Sequence, residues 1–106
     1  MIHIRIATRH SQCIQVETRG HAEYAEEGQD IICAAVSVLM VNTANSLEQL
    51  TDDGFTCEEG DGYVAIAIEQ EASDAAILLM NSLRLGLESI RETYGDAYLD
   101  IVTKEV

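Results

Sequence analysis

Apolar and polar residues alternate near the N-terminus in two short stretches, a pattern typical of half-buried strands. In the first stretch Ile2, Ile4 and Ile6 alternate with polar or small residues, and a second alternation runs over 14–19. A polar break at 8–12 separates the two stretches. We therefore predict a β-hairpin with a loop of about five residues.

From Asp30 onward the apolar residues recur at intervals of three and four, which indicates an amphipathic helix. The apolar stripe consists of Ile32, Ala35, Val36, Leu39, Thr43, Leu47 and Leu50. It is followed by the polar run Thr51-Asp52-Asp53-Gly54, which is typical of a helix end. The first helix is thus predicted from Asp30 to the residue before this run.

The remainder of the chain repeats the order of two strands and a helix. Segments 55–58 and 63–68 flank a glycine-containing turn, and 63–68 is apolar on both faces, which favours a central strand. Ser73 is a candidate N-cap for a second helix that ends at Gly95, and 98–103 has the pattern of a last strand. The order β-β-α-β-β-α-β predicts one α+β domain over 1–106, with two helices on a mainly antiparallel sheet of about five strands.

Charge and apolar content exclude several classes of protein. The chain has 106 residues, a formal net charge of -13 and no basic stripe, so direct binding of nucleic acid is not expected. No uninterrupted apolar run reaches the ~18 residues of a membrane span, and the first residues lack the apolar block of a secretory signal. The three cysteines form no C-x-x-C pair, which favours a reduced, cytoplasmic protein.

Cys33 is the cysteine with the most informative surroundings. Asp30, as the N-cap, would accept a hydrogen bond from the Cys33 N–H and place the thiol in the first helical turn. In that turn the free N–H groups and the helix dipole stabilise a thiolate. Ser37 lies on the same face one turn later, either as a hydrogen-bonding support or as a small residue that allows close packing. A cysteine in an apolar helix also suits an inert core position.

His21 supplies a partner for this thiol. It follows Gly20 at the end of the second predicted strand and precedes Cys33 by a loop of eleven intervening residues, 22–32. A Cys–His pair needs only spatial contact, and a loop of this length can return the imidazole to the helix start. We expect residues 21–29 to be mobile without substrate, because few apolar side chains anchor them.

Residues 20–37 resemble the signature of the ribosomal-processing cysteine protease Prp family. The segments that match are Gly20-His21-Ala22, an acidic spacer, and a run from Gly28 to Ser37 that contains D-I-I-C-A-A-V-S. The resemblance implies that Cys33 and His21 are the catalytic pair. It also implies a homodimer, and a substrate that is the N-terminal extension of large-subunit ribosomal protein twenty-seven, cut after an aromatic residue.

Other constellations of reactive side chains are weaker. The run His21-Ala22-Glu23 matches half of a zinc-deaminase motif, but no P-C-x-x-C follows it. The cysteines and histidines lack the spacing of metal ligands, so we expect neither a metal nor a cofactor. Cys57 is expected in the core, and Cys13, which opens a strand, is expected to be partly exposed.

Two functions of different classes remain open at this point. In the first, a cysteine endopeptidase, Cys33 attacks the scissile carbonyl, His21 transfers the proton, and Asp30 is the nearest candidate for a third group. In the second, a non-catalytic acidic module docks on a basic ribosomal protein or assembly factor. Under either hypothesis Glu23, Glu26 and Glu27 are candidates for contact with a basic segment, although acidic residues in a loop also suit a solvated surface.

Overall fold

The structure, a computed structural model, describes residues 1–20, 29–69 and 71–106. Its elements in chain order are β1 (Ile2–Arg9), β2 (Gln12–Arg19), α1 (Gln29–Leu50), β3 (Phe55–Gly60), β4 (Tyr63–Ile68), α2 (Asp74–Tyr94) and β5 (Leu99–Glu105). This order and the α+β class confirm the prediction from the sequence.

The five strands form one sheet in the order β3-β4-β2-β1-β5. Strand β1 is parallel to β5, whereas the other three neighbouring pairs are antiparallel. Strand β4 lies between β3 and β2, as its apolar sequence predicted, and β3 and β5 are the two edges. The mainly antiparallel character of the sheet is therefore confirmed.

Both helices cover the same face of the sheet. On that face Ile4, Ile6, Val16 and Ile66 are fully buried, because alternate residues of a strand point to one side. The helical side of this core consists of Ile32, Val36, Met40, Leu47, Ala76, Met80, Leu83 and Leu87. Leu50, predicted in the apolar stripe of α1, is instead 73% exposed, since it is the last residue of the helix and the stripe ends one turn earlier.

Helix α1 is long and apolar enough to cross a membrane by length and composition, over Ile31–Leu50. Counting uninterrupted apolar runs missed this property, because single polar residues such as Ser37 and Asn42 divide the helix. One face of α1 nevertheless packs against the sheet through Val36, Met40 and Leu47, as the core helix of a globular domain does. Core packing thus accounts for the apolar content of this face.

The turn between β1 and β2 is shorter than predicted. It contains only His10 and Ser11, both with positive φ (52° and 65°), rather than a loop of about five residues. The Glu105 carboxylate accepts hydrogen bonds from both of their N–H groups (2.8 and 3.0 Å) and from the Thr8 hydroxyl (3.0 Å). These bonds, of which the one from Ser11 contributes most, hold the pKa of Glu105 below its ordinary value of 4.5.

Candidate active site

Cys33 lies near the N-terminal end of α1, but slightly deeper in the helix than predicted. The helix begins at Gln29, so Asp30 has helical backbone and does not occupy the N-cap position. The sequence did not distinguish these positions, because acidic residues are favourable both at the N-cap and in the first turn. Counted from Gln29, Cys33 is the fifth residue and opens the second turn. Its N–H therefore lies beyond the four free N–H groups of the helix start.

The Cys33 side chain packs against the hydrophobic core on one side and remains accessible to solvent on the other. It is partly buried and contacts the edge of the hydrophobic core, and it forms no disulfide. A thiol in such a place is held by its neighbours and still reaches solvent, whereas an inert core cysteine is fully enclosed. The position of Cys33 is thus compatible with a nucleophile.

Ser37 lies one turn after Cys33 on α1 and is exposed, so it does not pack against the core. Together with Val38, Val41, Asn42 and Asn45 it lines a shallow groove of about 380 Å³ on the outer side of the helix. Val38 and Val41 are 65% and 50% exposed. The groove therefore offers apolar contact and amide hydrogen-bonding groups, and it runs from about one turn to just over three turns beyond the thiol.

Gly20 fixes the point at which the chain leaves β2. Its φ is +100°, a conformation that favours glycine, and its N–H donates a hydrogen bond of 2.9 Å to the Gly62 carbonyl. A Cβ at this position would lie 2.4 Å from the carbonyl oxygen of Met1. Beside it, Arg19 stacks over the Tyr63 ring, with its guanidinium carbon 4.4 Å from the ring centroid. The backbone at Gly20, the residue before His21, is thus held against the turn between β3 and β4.

Several predicted site features lie outside the described residues. These are the side chains of His21, Glu23, Glu26, Glu27 and Asp30, and the expected mobility of residues 21–29. The described part of the site consists of Cys33, Ser37, the α1 groove and Gly20. Sequence reasoning missed the groove, because Val38 and Val41 cannot be told from core residues before the packing of the helix is known.

The other two cysteines are placed opposite to expectation. Cys13 is fully buried, and burial raises the pKa of its thiol to about 11. Its N–H donates to the Asn81 side chain of α2, so the helix covers the start of β2. Cys57 is exposed, because β3 is an edge strand and has a neighbouring strand on one side only. Within 1–20, 29–69 and 71–106, no three His, Cys, Asp or Glu side chains are grouped to hold a metal ion.

Comparison with known proteins gives a consistent result. The family model described as "Cysteine protease Prp" matches residues 1–99. The protein named ribosomal processing cysteine protease Prp from Bacillus subtilis is 34% identical over 107 aligned positions, which span 91% of this chain and 92% of the relative. The protein of that name from Staphylococcus aureus is 28% identical over 79 positions, 73% of this chain and 74% of the relative.

Solved structures agree with the sequence relatives. The crystal structure of an essential ribosomal processing protease Prp from S. aureus, in complex with a substrate peptide, has a TM-score of 0.88 and 25% identity. The alignment covers 98% of this chain and all (100%) of that one. A structure from Streptococcus mutans has a TM-score of 0.84 and 30% identity, over 100% of this chain and 96% of that chain.

Proposed function

The chain belongs to the Prp family of cysteine proteases, and we propose that Cys33 and His21 are its catalytic pair. The observation that carries this proposal is the half-buried but accessible thiol near the start of α1. His21 directly follows Gly20, whose backbone is anchored at the end of β2. The eleven residues between the pair are enough to bring an imidazole to the thiol.

The chemistry follows the general scheme of a cysteine nucleophile with a histidine base. His21 takes the thiol proton, and the Cys33 sulfur attacks the scissile carbonyl carbon to form a tetrahedral oxyanion. Free N–H groups at the start of α1 are the candidates to stabilise that oxyanion. When the peptide C–N bond breaks, His21 protonates the leaving amine, and water then hydrolyses the thioester to restore the thiol. Asp30 is the candidate to orient His21, and Ser37, four residues after Cys33 on α1, is the candidate to support the thiol by a hydrogen bond.

The proposed substrate is the N-terminal extension of large-subunit ribosomal protein twenty-seven. Relatives of this chain are named ribosomal processing proteases, and ribosomal proteins are basic, whereas this chain has a net charge of -13. Glu23, Glu26 and Glu27 are the candidates to contact basic residues of the substrate. The α1 groove, with Val38 and Val41, is the candidate surface for apolar residues next to the cut.

We further propose that the protein acts in the cytoplasm as a homodimer. Its cysteines are all free, which suits a reducing compartment. The helices expose large apolar side chains, among them Ile31, Val38 and Leu78. Exposed apolar groups of this kind are more frequent where a protein binds another chain than on the surface of a monomer.

Incubation of the protein with a peptide that spans the N-terminal extension and the first residues of the mature ribosomal protein tests this function. We expect two fragments whose masses locate one cut after an aromatic residue, and mass spectrometry measures both. The competing function, a non-catalytic acidic module, predicts an intact peptide in a stable complex. That result would contradict the protease assignment for this chain.

A further inference from the structure

The end of β2 is joined to β4 by a cross-strand contact between two side chains. Arg19 and Tyr63 lie opposite each other and form the pair of the β2–β4 ladder at which β2 ends. The Arg19 guanidinium carbon lies 4.4 Å from the Tyr63 ring centroid, which is within the roughly 6 Å of a cation–π contact. Strand ends open more easily than strand centres. The contact therefore acts where the two strands would otherwise separate first.

A carboxylate holds the Arg19 side chain from its own strand. The Arg19 Nε–H donates to the Glu17 carboxylate (2.5 Å), and Glu17 lies two residues earlier in β2 on the same face of the sheet. Only 15% of the Glu17 side chain is exposed, whereas 62% of the Arg19 side chain is exposed. The carboxylate end of this ion pair is thus shielded from water. Arg19 is therefore bonded to β2 through Glu17 and stacked on β4 through Tyr63.

Gly20, the next residue, depends on the same strands for its position. Its N–H donates to the carbonyl of Gly62, the residue before Tyr63, over 2.9 Å. On its other side, a Cβ at Gly20 would collide with the Met1 carbonyl oxygen. The Gly20 backbone, with a φ of +100°, is therefore confined between the start of the chain and the turn that joins β3 to β4.

The backbone angles of Gly20 set the direction in which the chain continues to His21, the next residue. Loss of the Gly20–Gly62 hydrogen bond would free both angles, because a residue without a Cβ has many allowed conformations. We propose that the Arg19–Tyr63 stack positions His21, because it keeps Gly20 bonded to the turn between β3 and β4. This inference rests on the proposed catalytic role of His21.

The stack acts through the backbone, because it lies on the side of the sheet away from the thiol. Thr18 is buried beneath the helices, so Arg19 and its partner Tyr63 point to the opposite face. Helix α1, which carries Cys33, covers the helical face. A displacement of about 1 Å in a catalytic group can lower a rate by about a hundredfold. Loss of the stack should therefore lower kcat and leave KM nearly unchanged.

Variants of the stack test this role through the steady-state kinetics of peptide cleavage. Tyr63→Leu removes the ring, and Arg19→Gln removes the cation but keeps an N–H group for Glu17. Each variant should lower kcat about tenfold, with KM within about twofold of the wild-type value. Tyr63→Phe keeps the ring and should restore the wild-type kcat. The double variant Arg19→Gln/Tyr63→Leu should lose no more than either single variant, because both changes remove the same contact.

Phe55→Leu is the matched control. Phe55 lies opposite Ile68 at the other end of the β3–β4 pair, so this variant removes a ring from the same two strands far from Gly20. Its kcat per folded molecule should equal that of the wild type, and circular dichroism measures the folded fraction of every variant. Because the Arg19 side chain is exposed, Arg19→Gln tests the contact even if Tyr63→Leu fails to fold.

Several results would overturn the positioning role. These are a wild-type kcat in the folded stack variants, an equal loss of kcat in Phe55→Leu, and a raised KM with unchanged kcat. A double variant whose loss is the product of the two single losses would also overturn it. His21→Ala is assayed in parallel. Wild-type cleavage by His21→Ala, or no cleavage by the wild-type protein, would contradict the proposed function itself. An inactive His21→Ala beside fully active stack variants would contradict only the positioning role.

Discussion

Helices α1 and α2 pack on the same face of one sheet, yet they differ in how their ends are stabilised and in what their outer faces expose. Helix α2 is capped at both ends: the Ser73 hydroxyl accepts the Ala76 N–H (3.1 Å), and the Gly95 N–H donates to the Arg91 carbonyl (2.8 Å). Asp74 in its first turn and Arg91 in its last turn complement the helix dipole. Each of these features stabilises the helix itself.

Helix α1 lacks one of these stabilising features and carries an accessible reactive side chain. No basic residue lies in its last turn. It exposes Val38 and Val41 beside Ser37, and it carries the accessible thiol of Cys33. Exposed apolar side chains do not separate the two helices, because Leu78 and Leu85 of α2 are as exposed as Val38 of α1; the accessible thiol of Cys33 does, and it fits the site proposed on α1.

The largest expected effect on stability separates the buried face of α2 from the exposed face of α1. Leu87→Ala in α2 removes a fully buried side chain and should lower the free energy of unfolding by about 2–5 kcal/mol. Val41→Asn in α1 changes a half-exposed side chain and should alter it by no more than about 0.5 kcal/mol. Urea unfolding followed by circular dichroism measures both values.

The same two variants should have the reverse order of effects on catalysis. Val41→Asn is expected to raise KM for the peptide with little change in kcat, because the proposed role of the groove is to bind substrate away from the reacting atoms. Leu87→Ala should keep the kinetic constants per folded molecule. A Val41→Asn variant with unchanged KM would show that the groove does not contribute to substrate binding.

Two serines provide a smaller and closely matched test. Ser73→Ala removes the N-cap of α2 and should lower stability by about 1 kcal/mol. Ser37→Ala replaces an exposed residue inside α1 with a better helix former, so stability should be unchanged or rise by up to about 0.5 kcal/mol, while kcat/KM falls. If Ser37→Ala cleaved peptide at the wild-type rate, its proposed role beside the thiol would be wrong.

The smallest expected effect is a pH dependence at the start of α2. The Ser73 hydroxyl and N–H both donate to the Asp53 carboxylate, and these bonds hold the pKa of Asp53 below its ordinary value of 3.8. The pKa of Asp53 is lower in the folded protein than in the unfolded chain. Its ionised carboxylate therefore contributes its full stabilisation at pH values above the ordinary pKa, and this contribution is lost as the pH falls through the folded pKa.

Urea unfolding between about pH 6 and about pH 3 measures this contribution. Asp53→Asn should reduce the loss of stability on acidification without abolishing it, because the Glu105 carboxyl also has a lowered pKa. A pH profile identical to that of the wild type would show that the Asp53–Ser73 contact does not contribute to stability.

The sequence predicted features that depend on neighbouring residues and missed those that depend on distant ones. The order of elements, the Ser73 cap and the Gly95 end of α2 follow from local pattern, and the structure confirms them. The tight turn at His10 and Ser11 was not predictable, because it is held by Glu105 from the far end of the chain. Cys57 was misplaced for a similar reason, since β3 lies at an edge of the sheet and its own sequence pattern did not show this.

In the candidate site, too, some features were predictable from the sequence and others were not. Cys33, Ser37 and Gly20 were found from motif and spacing, and the structure gives each a position compatible with its proposed role. The depth of Cys33 in α1 was not predictable, because helix ends are uncertain by one or two residues in any sequence pattern. The α1 groove was missed because its valines resemble core residues until the packing of the helix is known.

The proposed role of Cys33, as the nucleophile of a peptide-cleaving site, is best examined with one matched pair of variants. Cys33→Ala and Cys57→Ala each remove one accessible thiol, but only the first removes the proposed nucleophile. With both variants shown to be folded, peptide cleavage followed by mass spectrometry should be undetectable for Cys33→Ala and at the wild-type rate for Cys57→Ala. Cleavage by Cys33→Ala at the wild-type rate would show that Cys33 is not the nucleophile.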